Sequence, residues 1–372
     1  MRRLFAIGVI GAGLLSGCGG GSQSPLPAAY SEMSSATSSA VSFPEVFSGK
    51  SDFTLYDALS PNGLEPDADP LTLGPDGNFW YMGGSLDAIV RTVPGGASTQ
   101  LSIPAMPMEQ AFAESVTTGS DGNIWYGAGN GNGTCLIGSL TPSGTFGPQY
   151  TIFDPGCAAN VGPQLAGTGV WFAAGNDEVQ SYVGYLTPSG SIKQFSIPST
   201  YCGQCQLISI NHGPDGNLWF NVASQSEYVG QITPSGTMTF FSTAPLSSIK
   251  NIIAGPDGDL WFNAKNESGS DVVAKMSRAG HIIRTYVMKY PIFHLTVGAD
   301  HNVWATNGGG GLTRITPSGI ISNFLFPSSD NGDVPHGIAV GTDSHIWFSL
   351  APGGVGTKFL GTFSIPITAL DQ

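Results

Sequence analysis

Positively charged residues are scarce in this chain. Only 13 of its 372 residues are Lys or Arg, against 26 Asp and Glu, and charged residues together make up 10% of the sequence. Nucleic-acid binding requires clustered Lys and Arg to neutralise phosphates, and the sequence has no such cluster. Segments with helical periodicity are also few, whereas Gly (53) and Pro (26) are abundant. These features disfavour a nucleic-acid partner and indicate an all-β protein.

Long apolar runs are missing except at the N-terminus. Arg2 and Arg3 precede an apolar run from residue 4 to residue 15, which is typical of an export signal and is too short to span a bilayer permanently. The run ends in Leu-Ser-Gly-Cys18, which resembles the lipobox of bacterial lipoproteins, where the Cys becomes the lipidated first residue. We therefore predict a signal peptide at 1–17, lipidation at Cys18, and a lipid-anchored protein of the cell envelope, on the periplasmic or extracellular face of a bacterial membrane.

Residues 18–50 are rich in Gly, Ser, Pro and Ala and carry hardly any charge. Such a composition cannot bury enough apolar surface to fold. We expect this segment to be a tether that holds the remaining domain, residues 51–372, away from the membrane.

All seven tryptophans recur in one sequence frame, whose best-formed copy is Gly-Pro-Asp-Gly-Asn-Leu-Trp-Phe at 213–220. In a typical unit an apolar run enters a tight turn, Asp-Gly in four of the seven copies, and leaves through an aromatic β run, which predicts a hairpin. A second hairpin around Thr-Pro-Ser-Gly, as at 187–190, completes four antiparallel strands. The tryptophans, separated by 45, 46, 48, 42, 43 and 43 residues, are Trp80, Trp125, Trp171, Trp219, Trp261, Trp304 and Trp347.

Four strands per unit at this period predict a seven-bladed β-propeller of four-stranded antiparallel blades. An open row of separate β modules would require linkers, for which the steady period leaves no room. A β run at Thr54–Ala58 precedes the first Trp unit. We expect it to pair with residues 358–363 as the outermost strand of the last blade, so that both chain ends meet in one sheet.

Four cysteines remain after the lipobox cysteine. An exported compartment favours disulfides, and we predict the pairs Cys202–Cys205 and Cys135–Cys157, with a Cys157–Cys202 bridge as the alternative. The Cys-x-x-Cys sequence lies in a loop between β units and not at a helix start, which disfavours thioredoxin-type chemistry. A zinc half-site with His212 is disfavoured because no second pair of ligands completes a tetrahedron.

The two turn motifs hardly change between units, whereas the connections after the second strand and between blades vary in length and chemistry. The face that carries the variable connections is therefore the candidate functional face. It is rich in acids such as Glu227, although a single acid there is more often a solvated loop charge. The repeated turn Asp residues are assigned to turn formation and not to Ca²⁺ binding. Among the six histidines, His336 stands out because it lies in Asp333-Val-Pro-His-Gly-Ile338, where a side chain can point into the channel mouth.

The Gly-Pro-Asp-Gly-Asn-Leu-Trp-Phe repeat and Pro-His-Gly-Ile resemble the virginiamycin B lyase (streptogramin lyase) family. These proteins are seven-bladed propellers that open a cyclic depsipeptide antibiotic by elimination, and the resemblance covers about residues 51–372. It implies that His336 is a general base, and that carboxylates two residues before it and four residues after the last Trp hold Mg²⁺. Those two positions carry Val334 and Ala351. The second family His falls on Phe293, with His294 one place away.

The sequence therefore departs from the family at the metal site, and a lyase that uses Mg²⁺ to stabilise a developing enolate would lack its electrophile. We predict a binding or interaction module without a cofactor. Its site residues are His336, His294, Asp333 and Asp330, with His336 as the catalytic residue if any catalysis remains. The expected partner is a small polar or peptide-like ligand at the channel mouth, or another envelope protein. We expect a monomer that contacts the membrane through its lipid only. The alternative is a streptogramin B-type lyase that opens a cyclic depsipeptide with Mg²⁺.

Overall fold

The computed structural model describes residues 45–47, 53–57, 70–83, 88–95, 97–104, 112–129, 134–153, 160–162, 169–174, 181–202, 205–223, 227–326, 334–351 and 359–365. These ranges consist of strands, turns and loops. They contain no helix that is long and apolar enough to cross a membrane. Cys18, Cys157, Asp330 and Asp333 lie outside the described residues.

The strands form seven four-stranded antiparallel sheets, and each sheet is one blade, numbered here in chain order. The prediction of a seven-bladed propeller is confirmed. Blade 1 comprises β3 (Thr72–Leu73), β4 (Phe79–Met82), β5 (Ala88–Thr92) and β6 (Ser98–Ser102); blade 2, β7 (Phe112–Thr118), β8 (Ile124–Gly129), β9 (Thr134–Leu140) and β10 (Phe146–Phe153); blade 3, β11 (Asn160–Val161), β12 (Val170–Ala174), β13 (Tyr182–Leu186) and β14 (Ile192–Ser196); blade 4, β15 (Ile210–His212), β16 (Leu218–Val222), β17 (Tyr228–Ile232) and β18 (Met238–Ser242). Blade 5 comprises β19 (Ser247–Ala254), β20 (Leu260–Lys265), β21 (Asp271–Met276) and β22 (Ile282–Val287); blade 6, β23 (Ile292–Val297), β24 (Val303–Asn307), β25 (Gly311–Ile315) and β26 (Ile321–Leu325), with β1 (Glu45–Phe47) beside it; blade 7, β27 (Val334–Val340), β28 (Ile346–Ala351), β29 (Phe359–Phe363) and β2 (Phe53–Asp57).

The Asp-Gly turn between the first and second strands also holds the tryptophan. Asp215 Oδ1 accepts the backbone N–H of Asn217 at 3.2 Å and the indole N–H of Trp219 at 3.0 Å, while Gly216 has a φ of +78°. A buried indole N–H needs an acceptor, and this carboxylate provides one four residues away. The same bond, with N···O distances of 3.0 to 3.2 Å, joins Trp80 to Asp76, Trp125 to Asp121, Trp261 to Asp257, Trp304 to Asp300 and Trp347 to Asp343.

The core is divided among the interfaces between blades, and each tryptophan fills one of them. Trp171 of blade 3 packs with Ile210 and Phe220 of blade 4, for example. Trp347 of blade 7 packs with Phe79 of blade 1, with the ring centroids 4.7 Å apart. Because this interface joins the last blade to the first, every pair of neighbouring blades around the ring shares an apolar cluster among the described residues.

The N-terminal part of the chain closes blade 7, as predicted. The strand β2 pairs antiparallel with β29 along its whole length, from Phe53 opposite Phe363 to Asp57 opposite Phe359. Blade 7 therefore combines a strand that precedes blade 1 in the sequence with the last three strands of the chain's described part.

Three residues inside the range predicted to be a tether form a strand instead. Glu45–Phe47 pair in parallel with Asn323–Leu325 and add a fifth strand to the outer edge of blade 6. An edge strand presents unpaired N–H and C=O groups, and pairing with it uses backbone atoms that every residue carries. Because this pairing does not depend on the side chains, the amino-acid composition of the segment could not predict it.

The predicted Cys202–Cys205 disulfide is confirmed, with the Cα atoms 5.6 Å apart. Both cysteines are buried and pack with Leu207 and Ile210 in the interface between blades 3 and 4. Cys135 is also disulfide-bonded. Its pairing with Cys157 stays a prediction, since that residue lies outside the described part of the chain.

Candidate functional site

The candidate site lies where the first strands of blades 6 and 7 meet. First strands of neighbouring blades contact one another around the ring, among them β23 with β27. His336 is the third residue of β27 and is half-buried. Its ring stacks on the ring of Phe293 from β23, with a centroid distance of 5.1 Å and an interplanar angle of 24°. The structure therefore places Phe293, the position of the second family His, directly against His336.

Thr306 holds the backbone on both sides of this ring pair. Its hydroxyl donates to the carbonyl oxygen of His336 at 2.6 Å and accepts the backbone N–H of His294 at 3.2 Å. On the other side of β27, the hydroxyl of Ser349 accepts the N–H of Gly337 at 2.8 Å. Bonds of this kind fix the position of a side chain before a ligand arrives.

Two asparagines hold the backbone of Phe293. The carbonyl oxygen of Phe293 accepts from Asn251 Nδ2 at 2.9 Å and from Asn263 Nδ2 at 3.3 Å. Asn263 Nδ2 also donates to the carbonyl of Ile292 at 3.0 Å. Blade 5 thus sets the backbone of blade 6 through amide donors, and blade 6 sets that of blade 7 through Thr306.

Sequence reasoning missed these positioning residues, although a signal for them exists. All of them except Asn251 lie two residues after a repeat tryptophan, and the side chain is polar at this offset in four consecutive blades. In blade 4 the equivalent Asn221 accepts the N–H of Ser209 at 2.7 Å and donates to the carbonyl of Ile249 at 3.0 Å. The four residues at this offset are Asn221, Asn263, Thr306 and Ser349.

The residues present at the expected metal positions do not fit Mg²⁺. Val334 and Ala351 are direct partners in the β27–β28 ladder. Opposite residues in antiparallel strands have Cβ atoms about 4.5–5.5 Å apart, so the register brings together the two positions that the family resemblance assigns to metal-holding carboxylates. Mg²⁺ prefers oxygen ligands, and neither Val nor Ala carries a side-chain oxygen. The described residues contain no cluster of three or more His, Cys, Asp and Glu side chains that could hold a metal ion.

Glu227 is an acid of the variable face whose environment changes its protonation. Burial raises the pKa of the Glu227 carboxyl above its ordinary value, although the backbone N–H groups of Ser248 and Ile249 donate to it and oppose the rise. The Ser248 bond, to Oε1, measures 3.1 Å. The carboxylate therefore connects the β16–β17 connection of blade 4 to the first strand of blade 5.

We expect Glu227→Gln to raise the melting temperature at pH 7. The folded-state pKa of Glu227 lies above its unfolded value of about 4.3–4.5. As pH rises from the unfolded pKa through the folded one, ionisation of this carboxyl therefore lowers the free energy of unfolding. Gln keeps an oxygen for the Ser248 N–H and carries no charge. The gain should be present at pH 7 and shrink towards pH 4 in thermal melts across that range. The matched control is Glu267→Gln at an exposed turn position, and an equal, pH-dependent gain in that variant would contradict the assignment.

Comparisons with known proteins agree with this architecture. The sequence profile described as the Virginiamycin B lyase family matches residues 168–358, just over half of the chain. A streptogramin B lyase structure is 24% identical, with a TM-score of 0.67 over 84% of this chain and 97% of that one. A catalytically inactive virginiamycin B lyase from Staphylococcus aureus with quinupristin is also 24% identical, with a TM-score of 0.68 over 84% of this chain and all of that one.

More distant propellers match as well. The structure of YCF48 bound to D1 peptide is 14% identical, with a TM-score of 0.61 over 87% of this chain and all of that one. No curated protein sequence matches the chain. At these identities the structural likenesses establish the fold, and the profile match establishes the family. With its repeat, its Pro-His-Gly-Ile segment at the start of blade 7 and this match, the chain belongs to the virginiamycin B lyase family.

Proposed function

We propose that this chain is a lipid-anchored envelope protein whose propeller binds a small polar or peptide-like ligand at the channel mouth and has lost the metal-dependent lyase site of its family. The observation that carries the proposal is the pairing of Val334 with Ala351. The strand register would place two metal-holding carboxylates side by side, but Val and Ala occupy the two positions.

The neighbourhood of His336 supports binding over proton transfer. A general base needs partners that orient its ring and stabilise the charge that develops on the substrate. His336 instead stacks on Phe293, whose ring can neither take up a proton nor bind a metal ion. Stacked rings on backbone held by Thr306, Asn251 and Asn263 make a rigid wall for a ligand. In this proposal His294, Asp330 and Asp333 are further ligand contacts.

The same fold is used for binding elsewhere, since the structure of the propeller YCF48 includes a bound peptide. An acidic chain with a formal net charge of −13 also suits a neutral or basic ligand. Anchoring through Cys18 would place this surface outside the cell membrane, where such ligands arrive.

Incubation of the purified protein with quinupristin and Mg²⁺ tests the loss of lyase activity. We expect no ring-opened product above the buffer rate, because no side-chain oxygen is present at positions 334 and 351. The product is separated by reversed-phase chromatography, since elimination leaves the mass unchanged. Ring opening by the wild type that disappears in His336→Ala would overturn the proposal in favour of the streptogramin B-type lyase.

A second arm of this experiment asks whether the metal site lacks only its two carboxylate side chains. Calorimetric titration with Mg²⁺ should show binding by a double Val334→Glu, Ala351→Glu variant and none by the matched Val334→Gln, Ala351→Gln variant.

A thermal-shift screen of short peptides against the wild type would identify the ligand. Hits should weaken in both Phe293→Ala and His336→Ala, and hits unaffected by either change would place the ligand elsewhere.

A further inference from the structure

In four blades the residue opposite the tryptophan on the third strand has a long polar side chain. In blades 4, 5 and 6 this side chain reaches the Asp of the turn, whereas in blade 1 it donates to the carbonyl oxygen of Pro142 at 2.8 Å. These residues are Arg91 opposite Trp80, Gln231 opposite Trp219, Lys275 opposite Trp261 and Arg314 opposite Trp304.

Lys275 shows the arrangement most fully. Its Nζ lies 5.8 Å from the centroid of Trp261 and 2.7 Å from Asp257 Oδ2. In blade 1 the guanidinium of Arg91 lies 5.7 Å from the centroid of Trp80. In blade 4 an amide takes this place, and Gln231 Nε2 donates to Asp215 Oδ2 at 2.7 Å. In blades 4, 5 and 6 the propeller thus supplies its own amide or cation to the Asp of the Trp–Asp pair.

Blade 2 keeps the Trp–Asp pair but not the covering side chain. The residue opposite Trp125 is Ser139, whose hydroxymethyl group is too short to extend over the indole. A cavity of about 470 Å³ lies at this place. We call it the blade-2 cavity, and its lining includes Asp121, Trp125, Ser139, Tyr150, Leu186 and Thr187.

The aromatic side chains of blade 2 are also arranged differently. In the last five blades a ring on the outermost strand stacks on the tryptophan at centroid distances of 5.3 to 5.7 Å, as Tyr286 does on Trp261. Tyr150 has the equivalent place on β10, but its ring and that of Trp125 are not stacked and are separate walls of the cavity. Trp125 is accordingly half-buried, whereas the other six tryptophans are at most 3% exposed.

We propose that the blade-2 cavity binds an alkylguanidinium or alkylammonium group, which takes the place that Arg91 and Lys275 occupy in blades 1 and 5. The cation would lie over the face of Trp125 and donate to the exposed carboxylate of Asp121, as Lys275 does with Trp261 and Asp257. The volume exceeds that of a bare ammonium ion and also admits the carbon chain. Ser139 and Thr187 add hydroxyl groups to the lining.

This site is separate from the channel mouth. Asp121 and Thr187 belong to the regular turns, at the opposite end of the strands from His336. The proposal therefore does not rest on the proposed function at His336. The cation can belong to a free amine or to an Arg or Lys side chain of a peptide, and both share the chemistry that the cavity recognises.

Isothermal titration with n-butylguanidinium and n-butylammonium tests the proposal, with neutral n-butylurea as the isosteric control. We expect both cations to bind with a stoichiometry of one and at least tenfold more tightly than the urea. Ser139→Arg should supply the missing side chain, weaken butylguanidinium binding at least tenfold and raise the melting temperature. Asp121→Asn keeps the acceptor for Trp125, removes the charge and should weaken binding at least fivefold.

A Lys275→Ser variant is the matched control in blade 5: it removes the long side chain, but Tyr286 stays stacked on Trp261, so it should gain no second guanidinium site. A Gly-Arg-Gly peptide with blocked termini distinguishes the two origins of the cation. Tighter binding than butylguanidinium would indicate an Arg or Lys side chain of a peptide, and weaker binding would indicate a free amine. Urea that binds as tightly as the cations, or unchanged binding in both Ser139→Arg and Asp121→Asn, would overturn the proposal.

Discussion

A protein that begins at residue 59 is expected to be less stable than one that begins at residue 50 by about 3–5 kcal/mol, the scale of removing a large aromatic side chain from a core. The longer protein keeps β2 and the shorter one lacks it. The ring of Phe53 lies 4.6 Å from that of Phe363 and 4.9 Å from that of Phe326, and Tyr56 stacks on Trp347 at 5.4 Å. Without β2 these contacts are lost and β29 becomes an open edge, which invites aggregation.

The free energy of unfolding from denaturant titration measures this effect. A third protein that begins at residue 43 retains β1 as well and separates the contribution of the parallel pairing with β26. Point variants provide a matched test, since Phe53→Ala should cost far more than Leu55→Ala, whose side chain is 48% exposed. Equal midpoints for the proteins that begin at 50 and 59 would show that β27, β28 and β29 suffice for a stable last blade.

Trp261→Ala is expected to destabilise the propeller by about 3–5 kcal/mol. Trp261 is fully buried, stacks on Tyr286 at 5.5 Å and donates to Asp257 at 3.1 Å. Its loss would leave a cavity between blades 5 and 6 and would remove the ring beneath Lys275. Interfaces between blades carry the core of this fold, so the damage should reach both neighbours.

The matched control is Trp125→Ala in blade 2. Trp125 occupies the same repeat position, but it is half-buried, is not stacked on Tyr150 and borders a cavity. We expect its replacement to cost less than half as much, because fewer atoms lose contacts. Urea denaturation of both variants measures the difference. Equal losses would mean that the repeat position alone, and not its local packing, sets the contribution of each tryptophan.

The local features of this propeller were readable from the sequence. Each Asp-Gly turn forms within a few residues, and its Asp bonds a tryptophan four residues further along the chain, so the repeat frame predicts the hairpins, their number and the ring. The closing strand was predictable for a related reason, since an unassigned β run before the first repeat could only complete the last one. The expected metal positions were identified by their offsets from His336 and Trp347, and the β27–β28 register makes them partners.

The remaining features depend on residues that are distant in the sequence. The pairing of β1 with β26 uses backbone groups, and no side-chain pattern predicts it. The stacking of Phe293 on His336 joins residues from two blades, and the amide and hydroxyl donors that fix them come from the first and second strands of blade 5 and the second strand of blade 6. The blade-2 cavity lies beside Trp125, where the opposite residue Ser139 is short and the ring of Tyr150 is not stacked on the indole. Turn chemistry and periodicity are properties of neighbours along the chain, whereas a site is formed by side chains that meet only after the ring has closed.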